Sequence, residues 1–184
     1  MSDSSRNPHP ELRKEQIHAA KSLWGALLET ELAFSDLLTV DAILTTEELE
    51  DFFAGRDKNP TISEMLSDYR ELKTTTDKIS NPGHLASHRL FSGDSLWACF
   101  SAASRTLGRA GWLAHQSIEK KAYQDWRTDS GIEQLIRPVL AAAEIEEGKQ
   151  KQMGGLSYVF GCLRERVLRE AVQVTEGLYD VERS

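Results

Sequence analysis

Residues 94–115 read Asp94-Ser-Leu-Trp-Ala-Cys-Phe-Ser-Ala-Ala-Ser-Arg-Thr-Leu-Gly-Arg-Ala-Gly-Trp-Leu-Ala-His115. Leu96, Trp97, Phe100, Leu107 and Leu113, with Ile118 just beyond, recur at the spacing that gathers side chains on one stripe of an α-helix. Interleaved with them are Ala98, Ala102, Ala103, Gly108, Ala110 and Gly111. Small side chains let a neighbouring helix approach, and each mid-helix glycine costs about 1 kcal/mol relative to alanine, so close packing is the compensating gain. This stretch predicts a long helix, capped by Asp94 or Ser95 and running to about Trp126. It belongs at the centre of a bundle, with Gly108 and Gly111 against another helix backbone.

The same period extends outward in both directions. Leu23, Trp24, Leu27, Leu28, Leu32 and Leu38 predict a first helix from Glu11 to about Leu38. Thr45-Thr46-Glu47-Glu48 is a capping box that opens a second, and Gly55 offers a left-handed stop. Pro60 and Thr61-Ile62-Ser63-Glu64 open a third, whose stripe is Ile62, Met65, Leu66, Tyr69, Leu72 and Ile79 and whose end is Asn81-Pro82-Gly83. Residues 80–93, with Pro82, Gly83, Gly93, His84 and His88, read as a long loop. Past the central helix, Ser130-x-x-Glu133 caps a fifth, which Pro138 should kink and Gly148 should end. Gly154-Gly155 leads into a sixth, with Leu156, Val159, Phe160, Leu163, Val167, Val174 and Leu178 in register. No stretch alternates with period two, and no repeat is evident. The expectation is an all-α bundle of about six helices. Residues 1–10 form a flexible N-terminal arm and 11–184 a single helical domain, with residues 80–93 the place where a sub-lobe boundary could fall.

Composition narrows the function classes. The 184 residues carry 22 Lys+Arg against 29 Asp+Glu, a formal charge of −7 and a pI near 5.3, which argues against holding nucleic acid by bulk charge. No run approaches the ~20 apolar residues that span a bilayer, so no membrane association is expected. Residues 1–10 contain no apolar core of a secretory leader. Cys99 and Cys162 cannot build a disulfide framework, and a reduced, cytoplasmic setting follows. Charge is uneven: over residues 29–57 nine carboxylates face Arg56 alone, giving −8 and leaving +1 for the rest of the chain. Such a span reads as a solvated face, or as a surface that attracts a basic partner. Arg164, Arg166 and Arg169 crowd one short stretch, with Glu165 and Glu170 among them to answer the charge locally.

Few residues are spaced for catalysis or metal binding. His84 and His88 stand four apart, a spacing that could offer two ligands to zinc from a helix, but no third ligand follows and Arg89 opposes a cation. Glu15 and His18 have the spacing found in carboxylate-bridged di-iron bundles, which need two such pairs and further glutamates. Glu29 and Glu31 share the helix of Glu15 and cannot complete that set. No metal or cofactor is therefore expected. Cys99 and Cys162 sit among apolar residues with no nearby histidine and read as small hydrophobes. Bare N–H groups at Gly154-Gly155 could receive an anion.

The remaining pair is Arg109 and His115, with Arg105 one turn earlier. A guanidinium that is always charged, next to an imidazole that titrates near neutrality, suits RNA cleavage. Histidine moves the proton and arginine holds the pentacoordinate phosphate. The stretch resembles the Arg-x(4–6)-His signature of HEPN-type helical domains. That resemblance implies a small, often dimeric α-bundle and a metal-independent endoribonuclease of a bacterial toxin or defence system, with Arg109 and His115 catalytic at a dimer interface. This chain departs from the pattern in having Ala110 after the arginine and two further helices after the motif. With no complete catalytic or metal set, the first expectation is a non-catalytic interaction or regulatory module working through protein–protein contacts or self-association. A HEPN-like ribonuclease, or an inactive relative, is the alternative, and RNA is a partner only in that case.

Overall fold

The computed structural model describes residues 10–56, 60, 64 and 82–177. The arm expected over 1–10, Pro10 excepted, the helix expected over 61–79, Glu64 excepted, and Asp57 and Leu178 lie outside these residues. Seven α-helices are present among the described residues, with no strand: α1 (Pro10–Ala33), α2 (Ser35–Ile43), α3 (Thr46–Phe53), α4 (Arg89–Lys120), α5 (Ser130–Ile136), α6 (Ala142–Gln150) and α7 (Gly155–Glu176). The chain is an all-α bundle. Its long central helix, α4, packs against α7 and α1 more extensively than any other pair of elements packs.

Twelve residues of α4 are buried, Leu96, Phe100, Leu107 and Leu113 among them, so the predicted stripe is the stripe that faces the core. α1 and α7 run antiparallel along it. Arg13 near the start of α1 donates to the carbonyls of Val174 and Thr175 at the end of α7. Glu31 near the end of α1 pairs with Arg164 in the first half of α7 at 2.7 Å. The arginines of α7 are thus answered from distant helices, Arg164 from α1 and Arg166 from Glu144 of α6 at 3.1 Å, rather than only by the glutamates beside them.

Several boundaries differ from the sequence reading. The first helix stops at Ala33, because Phe34 leaves helical geometry (φ −109°, ψ 16°) and is itself fully buried. The break turns Leu37 and Val40 of α2 into the core. The loop expected over 80–93 contains a 3₁₀ turn, Pro82–His88, and the first turn of α4. Gly93 interrupts that helix at φ 76°, ψ 158°, a geometry open to glycine, so the regular stretch begins close to the predicted cap. α4 ends at Lys120 rather than near Trp126. Buried Ser117 donates to the Leu113 carbonyl and accepts from the Gln124 N–H, which fastens the returning chain. Trp126 opens a separate 3₁₀ turn, Trp126–Thr128. Pro138 does not kink the fifth helix but divides it: α5 ends at Ile136 and α6 starts at Ala142.

The expectation for Gly108 also needs correction. A Cβ at Gly108 would meet nothing within 4 Å, so that position does not mark a close crossing. The close crossing is between α6 and α7. A Cβ on Gly155 would lie 2.5 Å from the carbonyl oxygen of Gly148, which sits inside α6 rather than ending it.

Candidate functional site

Arg109 and His115 both lie on α4, and the structure gives them different partners. Six residues of helix separate them by about 120° around the axis and about 9 Å along it. Arg109 forms a fork with Asp129, Nε donating to Oδ1 at 3.1 Å and Nη2 to Oδ2 at 2.9 Å. Its guanidinium also lies 4.3 Å from the ring centre of the exposed Trp112, a cation–π contact. Asp129 in turn caps α5, accepting from the Ile132 N–H at 2.8 Å. The cap residue is thus Asp129 and not Ser130. The Arg109 bond holds the Asp129 carboxyl below its ordinary range against the opposing effect of burial, with the backbone N–H of Ile132 helping, and the same bond raises Arg109.

His115 is mostly buried and pairs within its own helix, Nε2 3.2 Å from Glu119 Oε1. Chemically, the Arg109 fork is occupied by a carboxylate. Bidentate contact with a phosphate requires that ion pair to open, and no imidazole shares the pair. Arg105 is exposed one turn before Arg109.

The other candidates fall in separate places. His18 is brought against His88, their rings edge-to-face with centroids 5.4 Å apart, so one member of each predicted pair meets the other across α1 and the 3₁₀ turn. The side chain of His84 lies outside the described residues. Among the described residues, no group of three or more His, Cys, Asp or Glu side chains is placed to hold a metal ion. Cys99 and Cys162 are free and half-buried. Burial pushes the Cys99 thiol up to about 11 and raises Cys162 as well, which disfavours the reactive thiolate.

The anion expected at Gly154-Gly155 belongs to the chain itself. Asp41, counted with the acidic span, is buried, and its Oδ2 accepts from the Ser157 N–H at 2.9 Å and the Ser157 hydroxyl at 3.1 Å. Its carbonyl accepts from the Gly154 N–H at 2.7 Å. A carboxylate from α2 thus completes the N-terminus of α7. The acidic span is therefore not one solvated face: Asp41 is internal and Glu31 is bridged, while Glu29, Asp36, Glu47, Glu48, Glu50 and Asp51 are exposed.

Sequence reasoning missed Asp129 and Asp41 as partners. Asp129 carried a usable signal, an aspartate just before a helix start. Asp41 carried none, because its bonds reach a residue more than a hundred positions away. Among the described residues no helix is long and apolar enough to cross a membrane. Comparison with family models, with curated proteins and with solved structures finds no significant match to this chain.

Proposed function

We propose that this chain is a non-catalytic helical interaction module that acts through protein–protein contacts. The observation that carries the reading is the placement of apolar side chains outside the core. Leu28 and Leu32 on α1, and Leu168 and Val172 on α7, are exposed in pairs one turn apart on two helices that pack together. Leu32 is 75% exposed. Ridges of this kind are what a partner helix buries. The exposed carboxylates of α3 would add a salt-sensitive preference for a basic partner.

The test is affinity capture from the native host and solution mass, each with wild type and with Leu32→Glu and Leu168→Glu. Loss of a specific partner or of self-association on substitution, with melting unchanged, supports the module. A partner retained by both variants removes these ridges from the reading.

The second reading is the HEPN-like ribonuclease or its inactive relative. What favours it is that the Arg109 side chain remains 39% exposed beside Trp112. It needs His115 in a cleft with Arg109, which a second subunit would have to complete. RNA cleavage in EDTA, abolished by His115→Ala and by Arg109→Lys in folded protein, would establish it.

A further inference from the structure

α1 buries Ala19, Ala20, Leu23, Leu27 and Thr30 against the bundle. Its opposite face is patterned as well. Lys14, His18, Lys21, Gly25, Leu28 and Leu32 follow one another at alternating steps of four and three residues, the spacing at which one helix meets another along a seam. Leu28 and Leu32 stand out from this face, and both lysines are exposed. At Gly25 the face is hollow, since a Cβ there would meet nothing within 4 Å. Glu29 is exposed beside the seam. Among the described residues, Lys14, Lys21 and Glu29 form no ion pair.

Shape and charge together decide what covers this face. The knob at Leu28 lies one turn from the hollow at Gly25, and a face that carries both a knob and a hole fits a copy of itself. Charge along the seam is divided in the same way. Lys14 and Lys21 make its first half positive, while Glu29 makes its last turn negative and exposed Asp36 continues that sign into α2. A basic partner is repelled by the lysines and an acidic one by the glutamate. A second copy laid antiparallel sets each half against its opposite. Laid parallel, it would bring Lys21 against Lys21 and Glu29 against Glu29.

We propose that the outward face of α1 is the interface of an antiparallel dimer of this chain, with the twofold axis midway between Gly25 and Leu28. The proposal rests on the interaction-module reading and names its partner, a second copy. At this register Leu28 of each protomer enters the hollow at Gly25 of its partner. Leu32 lies along the aliphatic stem of Lys21, and the Lys21 ammonium reaches the Glu29 carboxylate. Each contact occurs twice, once on either side of the axis, as a self-complementary interface requires.

The test is sedimentation velocity of the full chain over a dilution series, with circular dichroism to confirm that each variant is folded. Wild type should pass from the 20.7 kDa monomer to its dimer as concentration rises. Lys21→Glu and Glu29→Lys change exposed side chains, and each should weaken the dimer at least tenfold, because each turns two attractive pairs into repulsive ones. The two variants mixed together, and the double variant carrying both changes, restore opposite charges across the axis and should dimerise within about threefold of wild type. Gly25→Leu fills the hollow and should weaken the dimer at least tenfold with helicity retained. A wild type that stays monomeric up to about 1 mM overturns the proposal, whether another protein or a segment of the same chain covers the face. So does a mixture of charge variants that does not recover, or a dimer that ignores both Lys21→Glu and Gly25→Leu. The interaction-module reading is judged separately. It survives a monomeric wild type if another captured protein is lost with Leu32→Glu, and it falls as well if no partner depends on Leu32 or Leu168.

Discussion

Two helix starts in this bundle are completed by aspartate, and they are built differently. At α5, Asp129 is the adjacent cap residue, bonds the Ile132 N–H three positions on, and is neutralised by the fork of Arg109. At α7, the carboxylate comes from Asp41 on α2, is buried, and is met by a backbone N–H and a hydroxyl, with no Lys or Arg paired to it among the described residues. A cap supplied by the adjacent residue, on a turn whose neighbours Thr128 and Ser130 are exposed, is more replaceable, since solvent can approach the freed donor. A cap supplied across the fold is harder to replace, because the Ser157 N–H that it serves is partly buried where α2 packs on α7. Removing it leaves the Ser157 N–H without its acceptor, while the Ser157 hydroxyl keeps the Leu38 carbonyl at 3.0 Å.

Asp41→Ala should therefore be the most damaging change, lowering stability by about 3 kcal/mol in urea unfolding. A loss below about 1 kcal/mol would mean that water reaches the α7 start and would make the two junctions alike. The glycines beside each junction sharpen the contrast. Gly155→Ala pushes a Cβ toward the Gly148 carbonyl oxygen at 2.5 Å, backbone that cannot swing aside, and should cost about 2 kcal/mol by thermal melt. Gly131→Ala meets the Asp129 carboxylate at 3.0 Å and the Arg109 side chain at 3.2 Å, groups that can give way, and should cost under about 0.5 kcal/mol. Equal losses would place the rigidity elsewhere.

Asp129→Ala removes a helix cap and should cost about 1 kcal/mol. The ion pair adds little to this, because Arg109 is partly exposed and screened. The smallest effect is the response to acid. Asp129 titrates below its ordinary 3.8 in the folded chain, so its contribution is complete above that value and fades as pH falls through the folded one. Glu144 follows the same sign, lowered first by the Ala141 N–H. Unfolding measured from pH 6 to pH 2 should show stability falling at the acid end. Asp129→Asn should flatten part of that fall, and an unchanged profile would detach Asp129 from the acid response.

Much of the bundle was legible because helical periodicity and capping are local. Thr45 and Glu48 form the predicted reciprocal box, with the Thr45 N–H donating to Glu48 Oε2 at 2.8 Å, and Gly55 takes the left-handed stop at φ 68°. The stripe of α4 needed only the spacing of Leu96, Phe100, Leu107 and Leu113. Gly108 shows where local reading stops: small residues permit a close approach but do not say which partner makes it. The same limit applies to Arg109. Its six-residue spacing from His115 was visible, but its engagement by Asp129 depends on how α5 returns to α4.

The sequence by itself determined that the chain is helical, where most helices start, and which stripes enter the core, because those properties depend on neighbours within about one or two turns. Tertiary structure alone decided that Asp41 is an internal cap rather than a surface charge, and that Gly148 and Gly155 form the tight crossing. Each of these is a contact between residues far apart in the chain, fixed by how amphipathic helices pack once their stripes are buried together, and spacing along the chain carries no record of it.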